Sequence, residues 1–359
     1  MVLRTKKTDD LPIGLDLGSF AVKMVELRKT KEGLQLLAAK SQEIPRNCRE
    51  DLGARMEYLG RCVRSMLKET AFKTRRCVLS LPAENTFVHH LKLPKLTPKE
   101  LPEAIERELA AKLPYPVADA IVRYMVAGDV FGDGEPKQEV IAVAARKETI
   151  DQFLTLSRRA KLDVMGISVE PCAIASCFGQ MLSQAEPGNS TTLYVDIGGK
   201  STQAVLTHGP NIAFARNLDF GGRLLDKEIA KVCEVSIEDA SQRRLQRQSD
   251  SSTDQPLDEV LGGPIDQLTK ELTQCMRYHE SVFPNQGVAR LVFLGGQAYD
   301  KRLCQTIAQK LNLVAQIGDP FAHISRQGAT SPTGDLHPQN AQPDWAVAVG
   351  LSLSDASAA

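Results

Sequence analysis

Ile13-Gly-Leu-Asp16-Leu-Gly18-Ser19 and Leu193-Tyr-Val-Asp196-Ile-Gly198-Gly199 share an apolar run that ends in an aspartate and a glycine, with the two aspartates 180 positions apart. Strand-like segments that turn back on themselves follow each one. Residues 22–27 face 34–39 across Lys31-Glu32-Gly33, and 202–207 face 212–216 across Gly209-Pro210-Asn211, the pattern of a hairpin. A unit of strand, Asp-x-Gly turn and hairpin that occurs twice at this distance predicts two lobes with similar cores. A buried strand ending in Asp and a Gly turn suits a polyphosphate, because glycine lets backbone N–H groups approach phosphate oxygens with no side chain between them. With both turns facing one ligand, Asp16 and Asp196 would hold Mg²⁺ through water, since that ion gives up its hydration shell reluctantly. Ser19 adds a hydroxyl donor and Lys23 a positive charge beside the phosphates. Either motif alone reads equally well as an ordinary β-turn.

The rest of the chain supplies alternating elements. Residues 56–67 have helical spacing, and 76–81 and 87–93 read as strands. A helix is predicted over about 97–113, where Thr97-Pro-Lys-Glu100 has the form of a capping box and Leu101, Ala104, Ile105 and Leu109 make an apolar stripe. Pro102 is an alternative first residue of that helix. Strands at 121–127 and 139–145 around a turn at 131–136 complete an αββ unit over about 82–150. Helices are expected at 147–160 and 171–182, with a strand at 164–169 between them. After the second motif come a Gly221-Gly222 break, a helix at 224–232, a polar loop at 246–255, a helix from about 265 to 279 and a strand at 290–294. That strand runs into Phe293-Leu-Gly295-Gly296-Gln297-Ala-Tyr299, where a base and ribose can lie against bare backbone, and then into a helix at 300–311. A loop at 328–343 precedes an apolar helix at 345–353.

Composition narrows the function classes. At 359 residues the chain is long enough for two or three domains. Forty-four Lys+Arg balance 44 Asp+Glu, so no global field collects nucleic acid. A hydrophobic fraction of 42% and a charged fraction of 25% are those of an ordinary globular protein. No run reaches the roughly 18 to 20 apolar residues that cross a bilayer, and residues 1–10 contain no apolar core of a secretory signal; a cytoplasmic protein is expected. The eight cysteines form no C-x-x-C pair and no zinc-type spacing, which fits reduced thiols and no structural metal. Neither G-x-x-x-x-G-K-[ST] nor G-x-G-x-x-G occurs, arguing against P-loop and Rossmann sites.

Asp16-Leu-Gly-Ser-Phe-Ala-Val-Lys23, Asp196-Ile-Gly-Gly-Lys-Ser-Thr202 and Leu294-Gly-Gly-Gln-Ala298 resemble, in order and spacing, the phosphate-1, phosphate-2 and adenosine motifs of the actin-like ATPase superfamily. Val169-Glu170-Pro171-Cys-Ala-Ile-Ala175 resembles the Glu-Pro-x-Ala-Ala segment that heat-shock chaperone ATPases and MreB carry before phosphate-2, whose Glu lies near the attacking water. By that likeness Glu170 orients or activates water, with a plain helix-start carboxylate of equal weight beside it. Nearly the whole chain is similar to the PilM family of type IV pilus assembly proteins: Gly14 to Lys23, Leu79-Ser-Leu-Pro-Ala-Glu-Asn-Thr-Phe-Val88, Leu91-Lys-Leu-Pro94, Phe220-Gly-Gly222 and Ala346-Val-Ala-Val-Gly350-Leu carry the likeness.

The resemblance implies an α/β, two-lobed actin-like ATPase fold of duplicated RNase H-like lobes with an inserted subdomain of the FtsA/PilM type. The lobes would divide as 1–81 and 151–190 for the first, 82–150 for the insert, 191–335 for the second and 336–359 returning to the first. It implies ATP and Mg²⁺ as cofactors. Asp16 and Asp196 would serve the metal. Asp16, Gly18, Ser19, Lys23, Asp196, Gly198, Gly199, Thr202, Gly221, Gly222, Arg244, Gly295, Gly296 and Gln297 would serve the nucleotide, and Glu170 and Asp196 catalysis. One departure stands out: the family's Ala-Glu-x-x-Lys helix, which touches adenosine, reads Ala240-Ser241-Gln-Arg-Arg244 here. The implied function is a cytoplasmic adaptor, peripheral to the inner membrane, that binds ATP with at most weak hydrolysis. It would dock the short cytoplasmic peptide of a PilN-like inner-membrane protein and meet other pilus assembly components, without inserting into the membrane or binding nucleic acid; homo-oligomers are left open. In the family the peptide lies between the first lobe and the insert, a region bordered here by Leu91, Leu93, Leu101 and Ile105, which apolar spacing assigns rather to core. The alternatives are a small-molecule kinase of the superfamily, for which a substrate-facing base motif is missing, and an FtsA-like filament former.

Overall fold

The computed structural model describes residues 10–132, 134–185, 190–249, 255–327, 336–337 and 339–354. The first motif forms β1 (Ile13–Leu17), followed by the hairpin β2 (Ala21–Thr30) and β3 (Gly33–Glu43), then α1 (Leu52–Glu69) and β4 (Arg76–Leu81). The insert comprises β5 (Phe87–Pro94), α2 (Leu101–Ala110), β6 (Ala120–Gly132) and β7 (Glu135–Arg146). Then come α3 (Lys147–Arg159), β8 (Asp163–Val169) and α4 (Glu170–Ala185). The second motif opens β9 (Thr191–Ile197), β10 (Thr202–His208), β11 (Asn211–Leu218), α5 (Gly222–Cys233), α6 (Ile237–Ser249), α7 (Gln255–Val282), β12 (Val288–Leu294), α8 (Lys301–Leu311) and β13 (Ala315–Ile317). The chain closes with β14 (Ile324–Ser325) and α9 (Ala346–Leu353).

The duplication read from the two motifs extends to the sheets. The first lobe orders its strands β14-β3-β2-β1-β4-β8 and the second β11-β10-β9-β12-β13. In each, the Asp-bearing strand pairs antiparallel with its hairpin partner on one side and parallel with the next strand on the other. Parallel neighbours require a crossover, and the helices that supply it cover the sheet faces. Helices α1 and α3 pack on one face of the first sheet, where Leu59 and Met66 of α1 share a core with Ile13, Leu15 and Leu17 of β1. A second core joins the lobes, in which α4 and α9 bring Phe178 and Trp345 against Val25 and Leu27 of one sheet and Tyr194 and Val292 of the other.

The structure differs from the sequence expectations at several ends. Helix α7 starts at Gln255 and runs 28 residues through Pro264, where the proline reads in sequence as a helix start near 265. Helix α2 begins only at Leu101, and the Thr97–Glu100 side-chain bonds close the preceding turn instead of capping it. The polar stretch at 246–255 is helical through Ser249; residues 250–254, 328–335 and 338 of the two expected loops lie outside the described residues. The return to the first lobe begins at β14, ahead of residue 336, because a two-residue strand carries no periodicity to read.

The insert is a three-stranded sheet, ordered β5-β7-β6, with α2 on one face. Its other face meets the second lobe. Fully buried Glu139 of β7 accepts from Tyr278 of α7 at 2.7 Å and bonds His90 Nδ1 at 2.9 Å, while the His90 ring stacks on Phe214 of β11. Beside this seam His208 and His279 meet Nε2 to Nε2 at 2.7 Å. One ring donates to the other, and desolvation pushes His279 down to about 4 and lowers His208 as well, so the folded pair stays neutral. An unfolded imidazole takes its proton near 6.5. The unfolded chain therefore binds more protons as pH falls from about 6.5 toward 4, and stability is lost across that window. The urea midpoint should fall between pH 6.5 and 5, and less so in His279→Leu; equal slopes in the two proteins would show that the pair does not titrate on unfolding.

Candidate functional site

Strands β1 and β9, from the two sheets, end with their aspartates close enough to act on each other. Asp16 is 8% exposed and accepts from Ser80 at the end of β4. Across the β1/β2 pair its register partner is Lys23, whose Nζ donates to the Asp344 carbonyl at 2.7 Å and pairs with the Asp344 carboxylate at 3.0 Å. Burial pulls the Lys23 ammonium down, and Asp344, Asp16 and Asp196 together more than offset it. Burial pushes the Asp16 carboxyl up, and Lys23 and Ser80 only partly counter this. Asp196 is pushed up to about 7 by burial and by Asp16.

Glu170 opens α4 at the end of β8. It receives the Gln203 amide at 2.9 Å and the Ala83 backbone N–H. Burial, then Asp196 and Asp16, push it up to about 8. The three carboxylates thus stand within each other's field with one nearby ammonium already engaged by Asp344. Such a hard-oxygen set fits a hydrated divalent cation that supplies the missing positive charge. The buried Gln203 Oε1, which has no hydrogen-bond partner, lies beside it.

The glycines of the motifs are required by close approach. Phe20, in the turn after Gly18-Ser19, lies flat on Gly199, where a Cβ would stand 2.0 Å from its ring; only glycine lets the two hairpins touch. Gly221 backs onto Gly199 and Lys200, with a Cβ placed 2.8 Å from their backbone. The first amides of α5, Gly222 N–H and Arg223 N–H, donate to the carbonyls of Gly198 and Gly199, which fixes the second hairpin on the helix. Gly295 has φ +83°, and a Cβ there would meet Asp196 Oδ1 at 2.3 Å. A residue with φ in this region is strained unless it is glycine. Gly296 begins a short 3-10 turn, and the expected helix follows at Lys301 behind the Asp300 cap.

Thr202 of β10 turns its hydroxyl inward to the Phe220 carbonyl at 2.8 Å. Arg244 of α6 is 2% exposed; its Nε donates to Asp226 of α5 at 2.6 Å and its Nη1 to Gln297. Gln297 in turn presses on Gly222, where a Cβ would stand 2.7 Å from Nε2. Gly222, Gly295, Gly296, Gln297 and Arg244 are therefore gathered in one place, and their polar groups already bond one another. Leu91, Leu93, Leu101 and Ile105 are buried in the core of the insert.

Sequence reading missed Arg55 and Glu84. Arg55 of α1 is 4% exposed and reaches the carbonyls of Leu17 and Gly18 at 3.4 and 3.0 Å, holding the first phosphate-type turn from behind. It pairs with Glu84 at 2.8 Å, and Glu84 also pairs with Lys200 at the tip of the second hairpin. Two more ion pairs cross from lobe to lobe, Arg46 to Glu238 at 2.9 Å and Arg223 to Glu50 at 2.6 Å. They border a cavity of about 520 Å³ that Ser19, Phe20, Arg49 and Ser241 also line. The Leu79–Val88 stretch held the only sequence signal for Glu84; Arg55 had none.

The sequence profile of the family described as "Type IV pilus assembly protein PilM" matches residues 14–356. Among solved structures, the chain is similar to one described as "PilM-PilN type IV pilus biogenesis complex", with a TM-score of 0.79 and 22% identity over 95% of this chain and 97% of that one. It is similar to ethanolamine utilization protein EutJ from Carboxydothermus hydrogenoformans, with a TM-score of 0.54 and 12% identity over 96% and 89%. It is also similar to MreB5 of Spiroplasma citri bound to ADP, with a TM-score of 0.52 and 11% identity over 94% of each chain. At these identities the structural likeness speaks for the two-lobed actin-like fold.

Proposed function

Because the chain belongs to the family of the type IV pilus assembly protein PilM, we propose that it is an actin-like adaptor of pilus assembly that holds Mg-ATP in the cleft between its lobes and docks the cytoplasmic peptide of a PilN-like inner-membrane protein. No helix among the described residues is long and apolar enough to cross a membrane; in this reading membrane association comes through the partner. The observation that carries the nucleotide half is the convergence of buried Asp16 with half-buried Asp196 and Glu170 in one cluster beside two glycine hairpins. Asp16 and Asp196 would hold the Mg²⁺ through water, because no three acidic, His or Cys groups among the described residues come close enough to ligate it directly. The ion supplies positive charge to the phosphate chain. Glu170, held by Gln203 and the Ala83 amide, would orient a water.

The peptide half follows from the position of the insert, which hangs from the first lobe between β4 and α3 and is pinned to the second by Glu139, His90 and Tyr278. Titration with a synthetic cytoplasmic peptide of a PilN-like protein from the same organism, followed calorimetrically with and without Mg-ATP, tests both halves. We expect peptide binding in the micromolar range, near −8 kcal/mol. Absence of binding by folded protein in both conditions would overturn the adaptor reading.

A further inference from the structure

Asp344 belongs to none of the sequence motifs, yet it joins two of them. It sits in the 3-10 turn Pro343–Trp345 just ahead of α9. Its carbonyl and its carboxylate both take the Lys23 ammonium, at 2.7 and 3.0 Å, and its Oδ1 accepts the Tyr299 hydroxyl at 2.7 Å. The preceding Pro343 carbonyl accepts the Gly295 N–H at 3.0 Å. Pro343 and Trp345 on either side are buried, Trp345 in the core that joins the lobes. The carboxylate is therefore fixed by its backbone, while Lys23 carries its charge on a flexible four-carbon stem.

The pair stands where the nucleotide reading puts phosphate. Lys23 is the register partner of Asp16, and its ammonium acts on both Asp16 and Asp196; the Asp344 carboxylate acts on the same two with opposite sign. The Lys23 and Asp344 side chains are 13 and 17% exposed, so water and salt screen them less than they screen a surface pair. A phosphate arriving at the Asp16 turn thus meets a cation that is already engaged and a fixed carboxylate that repels it. Both effects disappear with the Asp344 charge. An asparagine has the same shape and keeps an acceptor for Tyr299 and a backbone carbonyl for Lys23.

We infer that Asp344 is a built-in competitor, an internal anion that occupies the Lys23 ammonium until the phosphate chain of a polyphosphate ligand displaces it. The inference rests on the nucleotide reading above and specifies it. Its test is calorimetric titration of the full chain, freed of bound nucleotide, with Mg-ATP, in the parent, Asp344→Asn, Lys23→Ala and the double variant. Asp344→Asn should bind about tenfold tighter than the parent and Lys23→Ala about tenfold weaker. In the double variant the gain should vanish, leaving an affinity within threefold of Lys23→Ala. A merely structural ion pair would give no gain, because its loss strands a buried ammonium. Equal or weaker binding by Asp344→Asn, with the parent binding, would overturn the inference and leave the nucleotide reading standing. Binding by Asp344→Asn alone would be the same competition at full strength, and binding by neither folded protein would remove the reading and the inference together. Should Asp344→Asn not fold, the two proteins that lack Lys23 carry the test: a double variant more than threefold weaker than Lys23→Ala would make Asp344 a holder of the ligand and overturn the inference.

Discussion

Gly350→Leu is expected to yield no cooperatively folding protein, and Gly350→Ala to cost more than about 4 kcal/mol, among the largest effects of single substitutions. All eight residues of α9 are buried, and the helix is wedged between β1 and α4. A Cβ at 350 would stand 1.8 Å from the Ala173 carbonyl oxygen, and one at Gly14 would stand 1.9 Å from the Ala348 carbonyl oxygen. Both obstacles are backbone, which cannot swing aside as a side chain would, so three hydrogen-bonded elements must part to admit one methyl group. Helix propensity argues the other way, since Ala is favoured over Gly by about 1 kcal/mol in a helix interior. The packing cost is several times larger. Gly262 in α7 serves as the control, because a Cβ there meets nothing within 4 Å among the described residues; Ala there should be neutral or stabilise by about 0.5–1 kcal/mol. Thermal melts followed by circular dichroism read the contrast. A Gly350→Ala protein melting within 2–4 °C of the parent, the shift that about 1 kcal/mol produces in larger domains, would mean that α9 is not held so tightly.

The same glycines explain how much of the fold was legible. Asp16-x-Gly18 and Asp196-x-Gly198 could be read because close approach of backbone to backbone leaves a residue type behind, and the strand-and-hairpin unit of each lobe followed from that repeat, whereas the order of the remaining strands did not. The seam between insert and second lobe leaves no such trace. His90, Glu139 and Tyr278 lie far apart in sequence, and each is an ordinary residue of its own element until the fold joins them. Arg55 was hidden for a similar reason: on α1 it occupies one charged position among several, and only the turn of the helix toward the Leu17 and Gly18 carbonyls sets it apart. Pro264 misled in the opposite direction, since a proline marks a helix start more often than it sits inside one. In the candidate site, Asp16, Asp196 and Glu170 lie within each other's field. The fate of Arg244 depended on Asp226, 18 residues away on another helix, and a residue's partner is not written beside it.

Asp196→Asn should weaken Mg²⁺-dependent nucleotide binding by more than a hundredfold, about 2.7 kcal/mol or more, without lowering the stability of the unliganded protein. Two opposite consequences follow from one charge. In the unliganded protein Asp196 is a half-buried carboxylate within the field of Asp16 and Asp344, with Glu170 close enough to be raised by it, and only Lys23 favours its ionised form. Desolvation and like-charge repulsion both penalise it there. An amide of the same shape removes the penalty, so the melting temperature should hold or rise. A divalent cation bound there would invert that balance, because positive charge is what the cluster lacks; with the carboxylate gone, the ion would lose one of the two acidic groups proposed to hold it, and the phosphate chain would lose the ion. The same substitution at Asp16 should act in the same direction but cost some stability, since Asp16 also accepts the Ser80 hydroxyl and stands beside Lys23. Calorimetry with Mg-ATP and a thermal melt on the same preparations separate the outcomes. Binding lost together with a large drop in melting temperature would make Asp196 a structural residue of β9, and binding retained at the parent's affinity would show that the ion is held elsewhere.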